Sequence, residues 1–115
     1  SEETPEHDAE LMLSDVNYSM HVDVQRMAPF GAGNKKPIFL FKECLVSAAE
    51  PFGKEKQHTR LTLGDNGQVS AIQFFSDEKL KSVKAGETLS LLAHIEEDAF
   101  GKRRGIRLRI VDVLR

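Results

Sequence analysis

Two short segments of this 115-residue chain carry the residues best suited to holding a polyanion: Pro51-Phe-Gly-Lys-Glu-Lys-Gln57 and Ala99-Phe-Gly-Lys-Arg-Arg104. Each joins a flat ring, Phe52 or Phe100, to a glycine and to two or three cations, Lys54 and Lys56 in the first and Lys102, Arg103 and Arg104 in the second. Cations grouped in this way contact phosphates, and a ring beside them gives a base a surface to lie on, at ~1–3 kcal/mol per stacked base. Two other stretches alternate charge with apolar residues. His58, Arg60 and Thr62 alternate with Leu61 and Leu63, and Arg107 and Arg109 alternate with Ile106, Leu108 and Ile110. In a strand this period of two sends the apolar set inward and the polar set to the other face. Exposed Lys and Arg ordinarily serve solubility alone, but two basic loops and two basic strands together raise nucleic-acid binding above that default. For Phe52 and Phe100 two roles stand open, stacking on bases or filling the ends of the fold.

Other chemistries find less support. His7, His21, His58 and His94 are scattered, and the one cysteine, Cys44, has no second Cys or His at metal-ligand spacing. The histidines therefore read as surface or structural groups, and no internal disulfide is available. The tight acidic cluster Glu96-Glu97-Asp98 is better read as a solvated strand end, or as a partner for the basic loop after it, than as a metal site. Phe30-Gly-Ala-Gly-Asn34 invites a phosphate-cradle reading, but it lacks the Gly-Lys-Ser/Thr of a P-loop. A rigid joint between Pro29 and Pro37 accounts for it better.

These residues need elements to position them. A chain of 115 residues, 40% hydrophobic and 30% charged, builds one globular domain and contains no apolar run long enough to cross a bilayer as a helix. The net charge of −2 hides an asymmetry: residues 1–24 hold seven acids and no Lys or Arg, so residues 25–115 hold 16 bases against 11 acids, a net of +5. Residues 1–9 are polar and acidic and read as a disordered linker. Residues 10–37 read as a short strand at Leu11–Leu13, a helix capped by Ser14 or Asp15, and the joint. In that helix Val16, Met20, Val24 and Met27 fall on one face. Residues 38–115 read as five strands: a long bent strand from Ile38 to Ala49, then His58–Leu63, then Val69–Phe75 after the turn Gly64-Asp-Asn-Gly67, then one through Leu89–Ile95, and one through Ile106–Ile110. A short helix, capped by Ser76 or Asp77 and ended by Gly86, separates the third strand from the fourth. Phe39, Phe41, Phe74 and Phe75 fall inside strands and read as core, with one of the adjacent pair Phe74 and Phe75 turned outward as a third stacking candidate. A mainly β chain in this order, preceded by a helix, is a five-stranded OB-fold barrel, whose loops and middle strands commonly take oligonucleotides. Both basic loops are expected on one rim.

The segment Met27-Ala-Pro-Phe-Gly-Ala-Gly-Asn-Lys-Lys-Pro-Ile-Phe39 resembles the Leu-Ala-Pro-Phe-Gly-x-Gly-Asn-Pro-x-Pro stretch of the RecJ family of single-strand-specific exonucleases. Gly53, His58-Thr-Arg-Leu61, Ala71-Ile-Gln-Phe74 and the strand from Gly105 to Asp112 resemble later motifs of that family in the same order. Lys35 stands where Pro is usual and Arg107 where Gln is common. The resemblance covers residues 10–115 and corresponds to the family's OB domain. It implies a non-catalytic module that grips single-stranded DNA for a 5′-to-3′ exonuclease of repair and recombination; the contacts offered for that role by the basic loops and alternating strands are Phe52, Lys54, Lys56, His58, Arg60, Phe100, Lys102, Arg103, Arg104, Arg107 and Arg109. It further implies catalytic Asp-His-His domains in the same parent chain, holding manganese or magnesium; a single-stranded-DNA-binding protein is the partner that a docking barrel would take. The Asp-His-His motif is nowhere in these residues. The module by itself is therefore expected to need no cofactor and to cleave nothing. A protein-docking or architectural OB domain is the alternative, and a staphylococcal-nuclease-type enzyme a distant third. The lone cysteine fits a reducing, cytoplasmic compartment, and Ser1 in place of Met fits a piece of a longer protein.

Overall fold

The computed structural model describes residues 7–26, 35–98 and 105–114. The joint at 27–34 and the loop cluster at 99–104, with Phe100, Lys102, Arg103 and Arg104, lie outside the described residues. Among the described residues six strands, β1 (Ala9–Glu10), β2 (Phe39–Phe52), β3 (His58–Leu63), β4 (Val69–Gln73), β5 (Thr88–Asp98) and β6 (Gly105–Leu114), accompany helices α1 (Tyr18–Gln25) and α2 (Glu78–Lys81). The sheet runs β1-β2-β3-β4-β6-β5, and β2 pairs again with β5, which closes a five-stranded barrel. This is the expected OB fold, with α2 between its third and fourth barrel strands.

The long strand β2 spans two sides of the barrel because its two halves serve different neighbours. Phe39–Leu45 pairs with β5, and Val46–Phe52 pairs with β3. Irregularities at Phe41/Cys44 and Val46/Ala48 bend it, with Glu43 at φ 49 in the first; an extra residue in one strand sharpens its local twist. Inside, Phe41, Val46, Leu61, Leu63, Ala71, Leu91, Ala93 and Leu108 are fully buried.

Four local readings shift. The first strand is Ala9–Glu10, parallel to β2, where Leu11–Leu13 was expected. Asp8, grouped with the polar leader, accepts from the N–H of Ile38 at 2.8 Å and donates its own N–H to the Ile38 carbonyl. The cap of α1 is Asn17, which accepts from Met20 N–H at 2.9 Å, because Asp15 is engaged in closing a 3-10 turn through Met12 N–H. Strand β2 does not stop at Ala49; it runs through Pro51 to Phe52 and ends where Gly53 takes φ +99.

Candidate nucleic-acid interface

The outward rows of β3, β4 and β6 follow from the pairing register. Arg60 stands beside Ile72 and Ile72 beside Arg109; Thr62 stands beside Ser70 and Ser70 beside Arg107. Over this surface lies a groove of about 480 Å³, lined by Phe52, Arg60, Ser70, Ile72, Phe74, Asp98 and Arg107. Its two ends are the stems of the two basic loops, Phe52 before one and Asp98 before the other. They do not share a rim. Thr59 pairs with Gln73, so the loop between β2 and β3 adjoins the end of β4. Strand β6 runs parallel to β4 with Arg107 beside Ser70, so the stem at Asp98 and Gly105 adjoins the start of β4. The groove lies between them.

One end of the groove is aromatic. His58 is its centre: its ring centroid lies 5.2 Å from Phe52, 5.1 Å from Phe74 and 4.9 Å from Phe75, the last two edge-to-face. Phe52 and Phe74 also meet edge-to-face at 6.0 Å. The Arg60 guanidinium sits 5.3 Å from the Phe52 centroid and that of Arg109 4.6 Å from Phe74, within cation–π reach. Phe52 thus joins the outer ring cluster and lies outside the barrel core. Phe74 and Phe75 had read as strand residues, one inward and one outward. Strand β4 instead ends at Gln73, and Phe75, at φ 52, is 76% exposed while Phe74 is half-buried beside His58. Phe52, His58 and the adjacent pair of rings were the sequence signals for this platform, and a regular alternation could not show that both rings of the pair leave the core.

The cations divide into two sets. Lys54, Lys56 and Arg60 are exposed. Arg107 faces outward as expected yet is buried at 7% exposure. Its Nε donates to Glu96 at 2.7 Å and its Nη1 to Asp98 at 3.4 Å, while Arg109 Nη2 donates to the same Glu96 at 2.9 Å. Glu96 and Asp98 therefore face the next strand, β6, where their pairing partners Arg107 and Gly105 lie. This was neither of the two roles read for the acidic cluster. Carboxylates so neutralised make a poor dication site, and among the described residues no three His, Cys, Asp or Glu side chains converge on one point. Arg109 keeps a buried Nε with no partner among the described residues. Elsewhere His94 Nδ1 meets the Pro37 carbonyl at 2.8 Å and His21 is buried on α1, both away from the groove.

Known proteins match this arrangement. Residues 7–112 match the RecJ OB domain family. The single-stranded-DNA-specific exonuclease RecJ of Bacillus subtilis is 21% identical over 101 residues, which are 87% of this chain and 13% of that protein. The crystal structure of RecJ in complex with Mn2+ from Thermus thermophilus superposes with a TM-score of 0.64 at 17% identity, covering 84% of this chain and 13% of that one. The chain thus spans about an eighth of the length of these relatives. A match over nearly every residue, on a closed barrel of the same fold, means that this chain belongs to the RecJ OB domain family.

Proposed function

We propose that this chain is the single-stranded-DNA-binding module of a RecJ-like 5′-to-3′ exonuclease of DNA repair and recombination, and that it does no chemistry alone. The observation that carries this reading is the groove whose aromatic end, Phe52, Phe74 and Phe75 around His58, has the exposed cation Arg60 over the Phe52 ring, with Lys54 and Lys56 exposed in the loop that follows Phe52. Unpaired bases can lie on such rings while their phosphates meet the cations; a duplex keeps its bases stacked inside and gains only the charge. Hydrolysis would fall to Asp-His-His domains of the same parent chain with manganese or magnesium, in the cytoplasm, and this module would supply affinity and selection of single strands. A single-stranded-DNA-binding protein would be a further partner. The locking of Arg107 between two carboxylates favours a second reading, a docking or architectural barrel, because it removes one cation from any phosphate.

Fluorescence anisotropy with labelled single strands and matched duplexes at low salt separates the two readings. The expected result is binding to single strands with a clear preference over duplex, and no cleavage when manganese or magnesium is added. Equal affinity for both forms, or no binding, would favour docking; metal-dependent cleavage that survives extensive purification would refute the division of labour.

A further inference from the structure

Phe75 presents a problem that the binding reading leaves open: a phenylalanine that is 76% exposed on a backbone at φ 52 is unfavourable twice over. A bulky residue adopts the left-handed region at a cost, and its apolar ring gains nothing in water. The surrounding contacts hold it there. Phe75 N–H donates to His58 Nδ1 at 2.9 Å. The next residue is fixed as well, with Ser76 N–H donating to the Gln57 carbonyl at 2.8 Å and Ser76 Oγ to Thr59 Oγ1 at 2.7 Å. The imidazole in turn rests against the loop backbone, since a Cβ on Gly53 would come within 2.8 Å of His58 Cδ2. Glycine at 53 leaves the ring its place.

We infer that His58 is a positioning residue, which holds Phe75 out as a stacking surface through its Nδ1 lone pair and lets it go when the ring takes up a proton. The inference rests on the binding reading above. To accept from Phe75 N–H the imidazole must keep Nδ1 bare and carry its hydrogen on Nε2. A proton from solvent would occupy that lone pair, leaving two N–H groups facing each other, so the hydrogen bond from Phe75 N–H is lost and the turn is left to the anchors of Ser76. The charged groups on the elements around the ring are Glu50 on β2, Lys54, Glu55 and Lys56 in the following loop, Arg60 on β3, Asp77 before α2, and Arg109 on β6 across Phe74. The sign distinguishes this role from plain charge. An imidazolium that merely met phosphates would tighten binding in acid, whereas releasing Phe75 weakens it.

The test measures affinity for a labelled single strand, and quenching of a 2-aminopurine within it, from about pH 8 to about pH 5, where imidazoles as a class take up a proton. Wild type should lose about fivefold or more in affinity, the low end of one stacked base, with a parallel loss of quenching. His58→Asn places an amide oxygen near the Nδ1 position without titrating, so its affinity should stay flat with pH. His58→Phe keeps a ring without the acceptor and should bind at pH 8 as weakly as wild type does in acid, its melting temperature checked first. Wild-type binding that is flat or tightens in acid overturns the inference, as does an unchanged pH response in His58→Asn, even where His58→Phe does not fold. In those cases single-strand binding itself still stands. Absence of binding at every pH removes both.

Discussion

Phe75 and Cys44 are opposite cases of one side chain in its surroundings. Phe75 is apolar and exposed, so little packing depends on it; Phe75→Leu should leave thermal stability near wild type while single-strand affinity falls by ~1–3 kcal/mol, measured by melting and titration of the same variant. Loss of stability with unchanged affinity would make the ring a packing residue. Cys44 is polarisable and hidden at 3% exposure, its Sγ 3.9 Å from the Lys42 carbonyl, and burial pushes its thiol from 9.0 to about 11. The folded state therefore favours the thiol over the thiolate. Its contribution to stability is full below 9.0 and is lost as the pH climbs toward about 11. Iodoacetamide should modify Cys44 very slowly in native protein at pH 8 and readily in urea, since the thiolate is the reactive form. Equal rates would show the site to be open.

At the scale of elements, the pairing of β5 with β6 does electrostatic work that neither strand does alone. Glu96 and Asp98 on one strand and Arg107 and Arg109 on the other make a continuous network, with the Arg107 side chain 9% exposed and that of Glu96 16%. Removing one member of a buried pair leaves the other uncompensated, at about 3–5 kcal/mol when burial is complete. Arg107→Leu should therefore destabilise by about 2 kcal/mol, less than that limit because Asp98 is partly exposed and Arg109 still serves Glu96. Urea unfolding measures it, and a cost within error of zero would show that Arg107 is available to ligands. Of the elements themselves, β3, β4 and the turn between them were legible from alternation and glycine placement. The start of α1 was not, because Asp15 and Asn17 are both competent caps and only the 3-10 turn at Leu13–Asp15 decides which one serves.

For the whole molecule, a net charge of −2 conceals a basic body, and the barrel leaves Arg60 exposed beside Phe52 and Lys54 and Lys56 exposed in the loop after it. Each phosphate contact to a single strand contributes about −0.7 to the slope of log K against log salt. Three or four contacts, shared with Lys102, Arg103 and Arg104, give a wild-type slope of about −2 to −3. Replacing Lys54 and Lys56 together by Ala should make that slope shallower by about 1.4, while Arg107→Leu leaves it unchanged. Titrations at several salt concentrations decide the matter, and an unaltered slope in the double variant would move the phosphates away from this loop.

The sequence by itself determined the barrel, because alternation of period two, the Gly64-Asp-Asn-Gly67 turn and one short helix in the right place admit few other topologies. It also determined which residue types could meet a nucleic acid. Tertiary structure alone decided which of them are free to do so. Arg60 and Arg107 look alike in sequence, each alternating with aliphatic residues, yet one is exposed and the other is buried between carboxylates, because only the register of β5 against β6 brings Glu96 to Arg107. The parallel pairing of β4 with β6 likewise set the two loop stems at opposite ends of the groove. And Phe75 faces water because a backbone turn and one imidazole lone pair, both long-range consequences of the fold, outweigh the alternation that would have turned one of two neighbouring rings inward.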